Sequence, residues 1–424
     1  MKRFLYLFVL IAVTLSPATG ADKPNIVFFM ADDLGWNDVG YHGSEIRTPN
    51  IDRLAAKGVE LDRYYAFPVC SPTRAALMTA RSPIVLGIDS PVGPNGGLPL
   101  DEHILPQTLQ AAGYQTMMAG KWHLGIERAA SHPRNRGFEH SYGHLGPAVD
   151  YFTHIWGGGL DWHRNGKVLR EEGYSTELIA AEAARLVKNR DKSRPIFLYV
   201  AFNSPHTPLQ ATERYLDNYA NIRDGKRQLF AAMVDAMDAG VGAVLDALEQ
   251  EGMTANTLVV WVSDNGGNLN AGASNKPFRS GKGTTFEGGI RVPGLIYWPG
   301  VIESGKKFSQ QFTAHDWMPT LTAAVGVEMQ STKPLHGINM WPALKDGKMV
   351  ERGDTVIGVD GNYTVFHDGW KLVEYTPRGQ ANTSFHLFRI EDDPNEQHDF
   401  ADQKPEMVKE LLALIRKIPR AQSV

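Results

Sequence analysis

The sequence predicts an α/β fold: a mainly parallel sheet sandwiched by helices, with a smaller C-terminal antiparallel sheet and one helix. Short apolar runs typical of buried strands alternate with helical stretches through the first three quarters of the 424 residues. After about Trp341 the pattern changes to short strands separated by turns. The hydrophobic content of 42% excludes a disordered chain, and the length is sufficient for a large buried core.

The strands of the main sheet are predicted from continuous apolar runs, since a strand buried on both faces has no polar side. They lie at residues 26–30, 114–118, 196–202, 258–262 and 295–298. The predicted helices lie at 51–57, 105–112, 176–189 and 228–251. The small sheet is predicted at 355–359, 363–367, 370–374 and 384–389, with its helix at 405–417. The chain therefore divides into a leader at 1–20, a main domain at 21–341 and a small subdomain at 342–424.

The leader has the form of a signal peptide. Lys2 and Arg3 precede an apolar run that ends in the small residues Ala18, Thr19 and Gly20. The run is too short to span a bilayer comfortably, and cleavage is expected near Gly20. No Cys lies near that point, so no lipid anchor is expected. The sequence predicts an exported protein, periplasmic or secreted, without a membrane anchor.

Charge and cysteine content exclude several classes of protein. The 43 Lys and Arg against 47 Asp and Glu give a net charge of −4, which argues against a nucleic-acid partner because duplex binding needs a basic surface. The single cysteine, Cys70, excludes an internal disulfide and argues against a cysteine-based zinc or iron–sulfur site. In an exported chain Cys70 has no cross-linking role, which makes it a candidate for chemistry.

Polar residues follow four of the predicted strands. In chain order they are Asp32 and Asp33, Lys121 and His123, His206, and Asp264 and Asn265. An Asp after a strand is most often a turn or cap residue, and a lone His is most often structural. Because the carboxyl ends of parallel strands meet in one crevice, four such ends together favour a ligand site.

The Asp and Asn side chains of this set offer only oxygen. Hard oxygen ligands suit calcium or magnesium, whereas zinc prefers His or Cys. Several carboxylates crowded together repel one another without a cation. A divalent cation is therefore implied, and calcium is favoured because it tolerates an irregular shell.

The segment "VCSPTRAALMTAR" predicts the start of a helix. Pro72 suits the first turn, so Cys70 lies at or just before the N-cap, with Arg74 about one turn further on. A helix N-terminus lowers the pKa of a thiol and attracts anions. The segment is thus a candidate anion site, although by residue type a Cys is most often a small buried hydrophobe.

These motifs resemble the two signatures of the type I, formylglycine-dependent sulfatases. The first is C-x-P-x-R at residues 70–74, and the second is "GYQTMMAGKWH" at 113–123. "ADDLG", "SDNGG" and "GKGTTFEGG" also match, and the resemblance extends to the C-terminal "FRIEDDPNEQHDFA". The stretch "SPHTPLQATERY" is similar to the arylsulfatase B-like branch. Ala80 replaces the Gly that usually ends the first signature, and only a packing consequence is expected.

The resemblance implies an alkaline-phosphatase-like fold and a specific chemistry. Cys70 would be oxidised to formylglycine by a separate formylglycine-generating or maturase enzyme. One hydroxyl of the hydrated aldehyde would attack sulfur, and the sugar or aryl alkoxide would leave. The second hydroxyl would then expel sulfate by regenerating the aldehyde.

The resemblance also assigns roles to the candidate residues. The implied calcium ligands are Asp32, Asp33, Cys70, Asp264 and Asn265. The implied catalytic residues are Arg74 and His123, which hold the hydrate, Lys121 and Lys282, which bind sulfate oxygens, and His206, which protonates the leaving oxygen.

The expected substrate is a sulfated oligosaccharide or polysaccharide, of glycosaminoglycan or algal galactan type. Residues 123–163 are rich in aromatics and His, which suits a sugar site or a loop that buries its own small core. Residues 132–165 are expected to form a long loop. Two alternatives stay open. The first is a phosphoric ester or phosphonate monoester hydrolase of the same superfamily, and the second is a glycan-binding module without catalysis.

Overall fold

The computed structural model describes residues 23–331, 333–377 and 379–421. The predicted signal peptide at 1–20 lies outside the described residues. Among the described residues the strands are β1 Asn25–Ala31, β2 Val59–Leu61, β3 Tyr64–Tyr65, β4 Gln115–Lys121, β5 His140–His144, β6 Ile155–Trp156, β7 Gly159–Leu160, β8 His163–Arg164, β9 Lys167–Val168, β10 Ile196–Ala201, β11 Thr257–Ser263, β12 Gly294–Tyr297, β13 Lys306–Phe308, β14 Phe312–Thr313, β15 Thr355–Val359, β16 Asn362–His367, β17 Trp370–Tyr375 and β18 Ser384–Arg389. The helices are α1 Pro49–Lys57, α2 Cys70–Thr79, α3 Pro83–Leu86, α4 Leu105–Ala111, α5 Ser175–Lys188, α6 Glu213–Leu216, α7 Gly225–Gln250, α8 Glu287–Ile290, α9 Trp317–Ala324, α10 Trp341–Asp346 and α11 Pro405–Lys417.

The main sheet has ten strands in the order β13-β2-β12-β11-β1-β10-β4-β5-β8-β9. Its five central strands, from β11 to β5, are parallel. β12 runs antiparallel to β11, and β8 runs antiparallel to β5. A mainly parallel sheet is thus confirmed, and its central carboxyl ends meet at one edge.

Alternate side chains of β1 show how helices cover both faces of this sheet. Ile26, Phe28 and Met30 pack into the core that contains apolar residues of α2, α4 and α9. Val27 and Phe29 pack into the opposite core, which contains those of α1, α5 and α7. Because successive side chains of a strand point to opposite faces, one continuous apolar run serves both cores.

The strand β5 lies inside the stretch 132–165, which the sequence analysis treats as a loop. It lacks an apolar run, and one of its five residues, Gly143, must be very small. A Cβ on Gly143 would lie 2.2 Å from the carbonyl oxygen of Gly120 on β4, so only glycine fits. The prediction of a long loop is therefore wrong at residues 140–144, which add a parallel strand beside β4.

The helix α7 is long and apolar enough, by length and composition, to cross a membrane. In this fold 67% of its most apolar window is buried inside the protein. It packs on α5 and on the sheet, through residues such as Phe230, Met237 and Val244. Its hydrophobicity is thus accounted for by the core.

The four C-terminal strands form a separate antiparallel sheet in the order β15-β16-β17-β18. Leu411 and Ile415 of α11 pack against Val365 and Leu372 of this sheet. The predicted small antiparallel sheet and helix are therefore confirmed. The domain boundary near residue 341 stays a prediction.

The helix α2 ends at Ala80, which has a left-handed backbone with φ of 57°. Its N–H donates to the carbonyl of Ala76, and its carbonyl accepts from the N–H groups of His336 and Gly337. Glycine is favoured here because a side chain strains this conformation. The sequence analysis expected Ala in place of Gly at position 80 to affect packing only. That expectation is wrong, because Ala80 also adopts a strained backbone conformation.

We expect Ala80→Gly to change the free energy of unfolding by less than about 0.5 kcal/mol. Relief of left-handed strain, about 1 kcal/mol, offsets the loss of a buried methyl group, about 0.8 kcal/mol. Ala76→Gly, the matched control inside the same helix, should lose about 2 kcal/mol because it has no strain to relieve. Urea denaturation of both variants measures the difference, and equal losses would contradict the role of φ.

Candidate active site

The carboxyl ends of β1 and β11 bring three carboxylates together. Asp32 and Asp33 follow β1, and Asp264 follows the neighbouring parallel strand β11. The N–H of Asp33 donates to Oδ1 of Asp264 at 3.2 Å, and all three side chains are buried. Carboxylates this close repel one another unless cations or hydrogen bonds compensate them.

Each of these carboxylates forms its shortest ion pair with a different basic side chain. The pairs, with one N–O distance for each, are Lys121 and Asp32 at 2.6 Å, Lys282 and Asp33 at 2.6 Å, and Arg74 and Asp264 at 2.7 Å. Lys121 ends β4, Arg74 lies one turn into α2, and Lys282 lies in the loop before α8. The sheet edge, one helix and one loop thus supply a charge-balanced cluster.

The pKa values of two of these carboxyl groups shift in opposite directions. Burial has the largest single effect and would raise the pKa of Asp33, but the charges of Lys282 and His206 and the hydrogen bonds from Lys282 and Asn265 together hold that pKa below its usual range. Burial and the charge of Asp32 raise the pKa of Asp264 to about 6. Asp264 is therefore the carboxyl group of the two that binds a proton more readily.

Cys70 is the first residue of α2, next to this cluster. Its Sγ donates to Oδ1 of Asp32 at 3.3 Å and lies 3.9 Å from Nζ of Lys282. Burial, followed by the charge of Asp264, raises the pKa of the Cys70 thiol well above its usual value. The predicted lowering by the helix N-terminus is therefore wrong, because desolvation and neighbouring carboxylates outweigh the helix dipole.

The donor set fits a hard divalent cation. Ligand atoms of Asp32, Asp33, Cys70 and His206 all lie within 4.8 Å of one another. The side-chain Nδ2 of Asn265 donates to Oδ1 of Asp33 at 2.8 Å, while its Oδ1 is buried and has no hydrogen-bond partner among the described residues. A buried amide oxygen without a partner beside carboxylates has the chemistry of a calcium ligand.

His206 lies at the open side of the cluster. Its Nε2 is 3.7 Å from Oδ2 of Asp33, and its Nδ1 is 2.6 Å from the carbonyl oxygen of Thr207. The hydroxyl of Tyr151 donates to the carbonyls of Asn203 and His206, at 2.6 and 2.8 Å. Burial lowers the pKa of His206 to about 4, although the charge of Asp33 opposes the shift. Tyr151 fixes this loop, and sequence reasoning did not assign it that role.

His123 is fixed by a different loop. Its Nε2 lies 3.2 Å from the carbonyl oxygen of Val92. The hydroxyl of Ser71 donates to the carbonyl of His123 and accepts from the N–H of Val92. The other ring atom, Nδ1, is buried and has no partner in the described part of the chain. It is therefore the atom of His123 that can still form a hydrogen bond.

Two residues at strand ends have left-handed backbones, although neither is glycine. Asp33 has φ of 69° and His123 has φ of 53°. Such conformations are costly for residues with a side chain and persist where the surrounding structure fixes them. They turn the chain sharply after β1 and β4 and aim both side chains at the cluster's edge of the sheet.

His144 lies beside Lys121, a position that the sequence analysis did not predict because it treated His144 as one of the His residues of a loop. It ends β5 and pairs with Lys121 in parallel register, so both side chains point to the same face of the sheet. His144 is buried, and its Nε2 has no hydrogen-bond partner among the described residues. Burial lowers its pKa to about 3, so the ring is neutral at pH 7. The missing apolar run of β5 hid its position.

Most aromatic side chains of residues 123–163 are buried in the core and are not available to a ligand. Tyr142, Tyr151 and Trp162 are buried in the core that contains α5 and α7. Phe152 is 43% exposed, and Trp156 is half-buried. Of these five, only Phe152 and Trp156 thus present surface to a ligand.

Comparison with known proteins places this site in a family. The sulfatase family model matches residues 24–327. The chain is 34% identical to arylsulfatase J of Mus musculus over 450 aligned residues, covering 93% of this chain and 75% of that protein. It is 35% identical to N-acetylgalactosamine-6-sulfatase of Homo sapiens, covering 80% of this chain and 70% of that protein.

Solved structures agree with these relatives. Ps i-CgsB in complex with k-i-k-neocarrahexaose has a TM-score of 0.86 and 35% identity, covering 93% of this chain and 92% of that one. PsFucS1 sulfatase from Pseudoalteromonas sp. has a TM-score of 0.78 and 26% identity, covering 95% and 92%. The chain belongs to the sulfatase family. It is a sulfuric ester hydrolase with the alkaline-phosphatase-like fold, while the arylsulfatase B-like branch stays a prediction.

Proposed function

We propose that this protein is an exported, calcium-dependent sulfatase that hydrolyses sulfate esters of a sulfated carbohydrate, with its nucleophile made from Cys70. The observation that carries the proposal is the position of Cys70, on the first turn of α2 and in contact with both Asp32 and Lys282. A carboxylate cluster and a lysine that both contact the same side-chain atom can support a metal-bound nucleophile at that position, where it faces an anionic ester.

Calcium would be held by Asp32, Asp33, Asp264 and Asn265, with residue 70 adjacent. When bound, the ion would polarise the sulfate oxygens and favour an ionised nucleophile. The unpartnered Oδ1 of Asn265 supports this set. Formylglycine at position 70 would be made by a separate maturase, and its hydrate would supply the attacking hydroxyl.

The basic residues would bind the sulfate group. Lys121 contacts Asp32 at 2.6 Å and Lys282 contacts Asp33 at 2.7 Å, and Nζ of Lys282 also lies 3.9 Å from Sγ of Cys70. The N-terminus of α2, a helix of ten residues, adds a favourable dipole for an anion. Arg74 is fully buried and bonded to Asp264, so its role is to orient the cluster beside residue 70.

His206 would be the general acid. The Nδ1 contact with the Thr207 carbonyl directs Nε2 toward Asp33 and the open side of the cluster. The side chain of His206 is 16% exposed, so the leaving group of a bound ester can reach it. The negative charge of a bound ester raises the pKa of an adjacent imidazole and so favours the protonated form.

Relatives support a carbohydrate substrate. One similar protein is an N-acetylgalactosamine-6-sulfatase, and another binds k-i-k-neocarrahexaose. The exposed Phe152 is two residues from Asp150, which accepts a hydrogen bond from Gln210 on the loop after His206. A sugar bound beside His206 therefore has an aromatic surface within the same group of loops. Export supports a polymeric substrate outside the cytoplasm, and the predicted leader at 1–20 supports export.

The proposal predicts sulfatase rather than phosphatase activity. The protein, produced with a formylglycine-generating enzyme, should hydrolyse an aryl sulfate with a higher kcat/KM than the matching aryl phosphate. Cys70→Ala should lower kcat for the sulfate by at least about 10³-fold, because it removes the nucleophile. Steady-state kinetics check both. A dominant phosphatase rate, or unchanged turnover in Cys70→Ala, would contradict the proposal.

Calcium removal should lower both activity and stability. After chelation, calcium should restore activity and raise Tm, since a ligand that binds only the folded state stabilises it. Asn265→Ala should weaken calcium binding by about 10-fold or more. Glu182→Gln, a buried carboxylate on α5 outside the site, is the control and should bind calcium like the wild type. Titration calorimetry measures the affinities, and equal affinity in Asn265→Ala would remove that residue from the ligand set.

His206→Ala should slow sugar sulfates more than aryl sulfates. A sugar alkoxide is a poor leaving group that needs protonation, so its kcat should fall about 10²- to 10⁴-fold. An aryl sulfate with a good leaving group needs less protonation, so its kcat should fall by a smaller factor. His367→Ala, in the small sheet, is the control and should leave both rates unchanged. Equal losses on both substrates would rule out the general-acid role.

A further inference from the structure

A buried ion cluster joins the small C-terminal sheet to the main domain. Nζ of Lys371, on β17, lies 2.7 Å from Oε1 of Glu287 and 2.8 Å from Oε1 of Glu396. The side chains of all three residues are fully buried. Glu287 begins α8, and its N–H donates to Oε2 of Glu396 at 2.9 Å. Lys371 thus bridges α8 and the turn that follows β18.

Glu287 also forms a hydrogen bond and an ion pair with residues of the main domain. The hydroxyl of Tyr65 donates to its Oε2 at 3.0 Å, and Nη1 of Arg291 lies 3.5 Å from the same oxygen. Burying these charges is costly, and apolar side chains of similar volume often stabilise a fold equally well. Such a cluster is therefore weak evidence for added stability, and its contacts centre on Glu287, the first residue of α8.

The backbone of α8 lies directly under the loop that carries Lys282. A Cβ on Gly289 would lie 2.0 Å from the carbonyl oxygen of Thr284, and one on Gly288 would lie 2.4 Å from that of Ser280. The N–H of Gly288 donates to the carbonyl of Arg279 at 2.8 Å. There is no space between helix and loop, so a shift of α8 shifts the loop.

The same loop is fixed on its other side by the turn after β11. The N–H of Lys282 donates to the carbonyl of Gly267 at 3.2 Å, and the N–H of Gly266 donates to that of Gly289 at 3.0 Å. A Cβ on Gly266 would lie 1.9 Å from the carbonyl oxygen of Gly288. The loop is thus clamped between α8 and the turn that follows Asn265.

We propose that Lys371 is a positioning residue for the sulfatase reaction: through Glu287 it fixes α8, and α8 fixes Lys282 against Asp33. The small C-terminal sheet then contributes to the active site, although none of its described residues forms a hydrogen bond or ion pair with Asp32, Asp33 or Asp264. This inference rests on the proposed function, in which Lys282 binds the sulfate group.

Hydrogen–deuterium exchange tests the structural step without any need for turnover. Lys371→Met should speed the exchange of backbone amides at residues 279–289, and Lys371→Arg should keep it near the wild-type rate. Arg416→Met is the matched control, because it breaks a different ion pair of the same small sheet, with Glu374. It should leave the exchange of 279–289 unchanged. Unchanged exchange in Lys371→Met would overturn the proposal.

Glu287→Gln keeps the shape of the cluster, so it allows the same measurement if Lys371→Met does not fold. It retains the Lys371–Glu396 pair and weakens the ionic contacts of residue 287 with Lys371 and Arg291. It should also speed the exchange of residues 279–289. Exchange at the wild-type rate in this variant would overturn the proposal.

Kinetics test the functional step. Lys371→Met should lower kcat/KM for an aryl sulfate by about 10-fold or more, since a small misplacement of a binding group can cost up to about 100-fold. In a Lys282→Ala background, Lys371→Met should lower kcat/KM by less than about twofold, because the amine that Lys371 positions is absent. The inhibition constant for inorganic sulfate should rise in Lys371→Met and stay unchanged in Arg416→Met.

A structural role alone gives a different result. It predicts a lower Tm in Lys371→Met with unchanged kcat/KM, or the same loss in both backgrounds, and either outcome would overturn the proposal. An inactive wild type that carries formylglycine would instead contradict the proposed function. The exchange measurement would still decide whether Lys371 fixes the loop.

Discussion

The pairing of three buried carboxylates with three buried or half-buried cations is the interaction on which the rest of the site depends. Asp32, Asp33 and Asp264 can lie together at one sheet edge only because Lys121, Lys282 and Arg74 compensate them. The three pairs have no net charge when the histidine beside them is neutral. A bound divalent cation would make the site positive by two charges, which the sulfate dianion released by hydrolysis would neutralise.

Backbone geometry keeps these charges together. Parallel strands bring the acidic residues to one edge, and left-handed turns at Asp33 and His123 hold the chain there. Glycines at 266, 288 and 289 allow three segments to approach within contact distance, which fixes Lys282 from two sides. Such close contacts transmit displacement, so residues that touch no substrate, such as Lys371, can affect the reaction.

The sequence predicts the part of this arrangement that has a local pattern. Asp32 and Asp264 were found because each follows a continuous apolar run, and that run fixes both the strand and its carboxyl end. His144 was missed because β5 contains Gly143 where an apolar residue would have revealed the strand. Lys371 was missed because its partners lie far away in the chain, and a buried ion pair between distant segments has no periodicity. The raised pKa of the Cys70 thiol was missed because burial depends on the tertiary structure.

The mass of the peptide that contains Cys70 tests the central claim most directly. The protein is produced with and without a formylglycine-generating enzyme, digested and analysed by mass spectrometry beside an assay of aryl sulfate hydrolysis. The account predicts an aldehyde or its hydrate at position 70 with the enzyme, and activity in proportion to the modified fraction. Full activity in protein whose Cys70 is an unmodified thiol would contradict it, because the proposed nucleophile would then be absent.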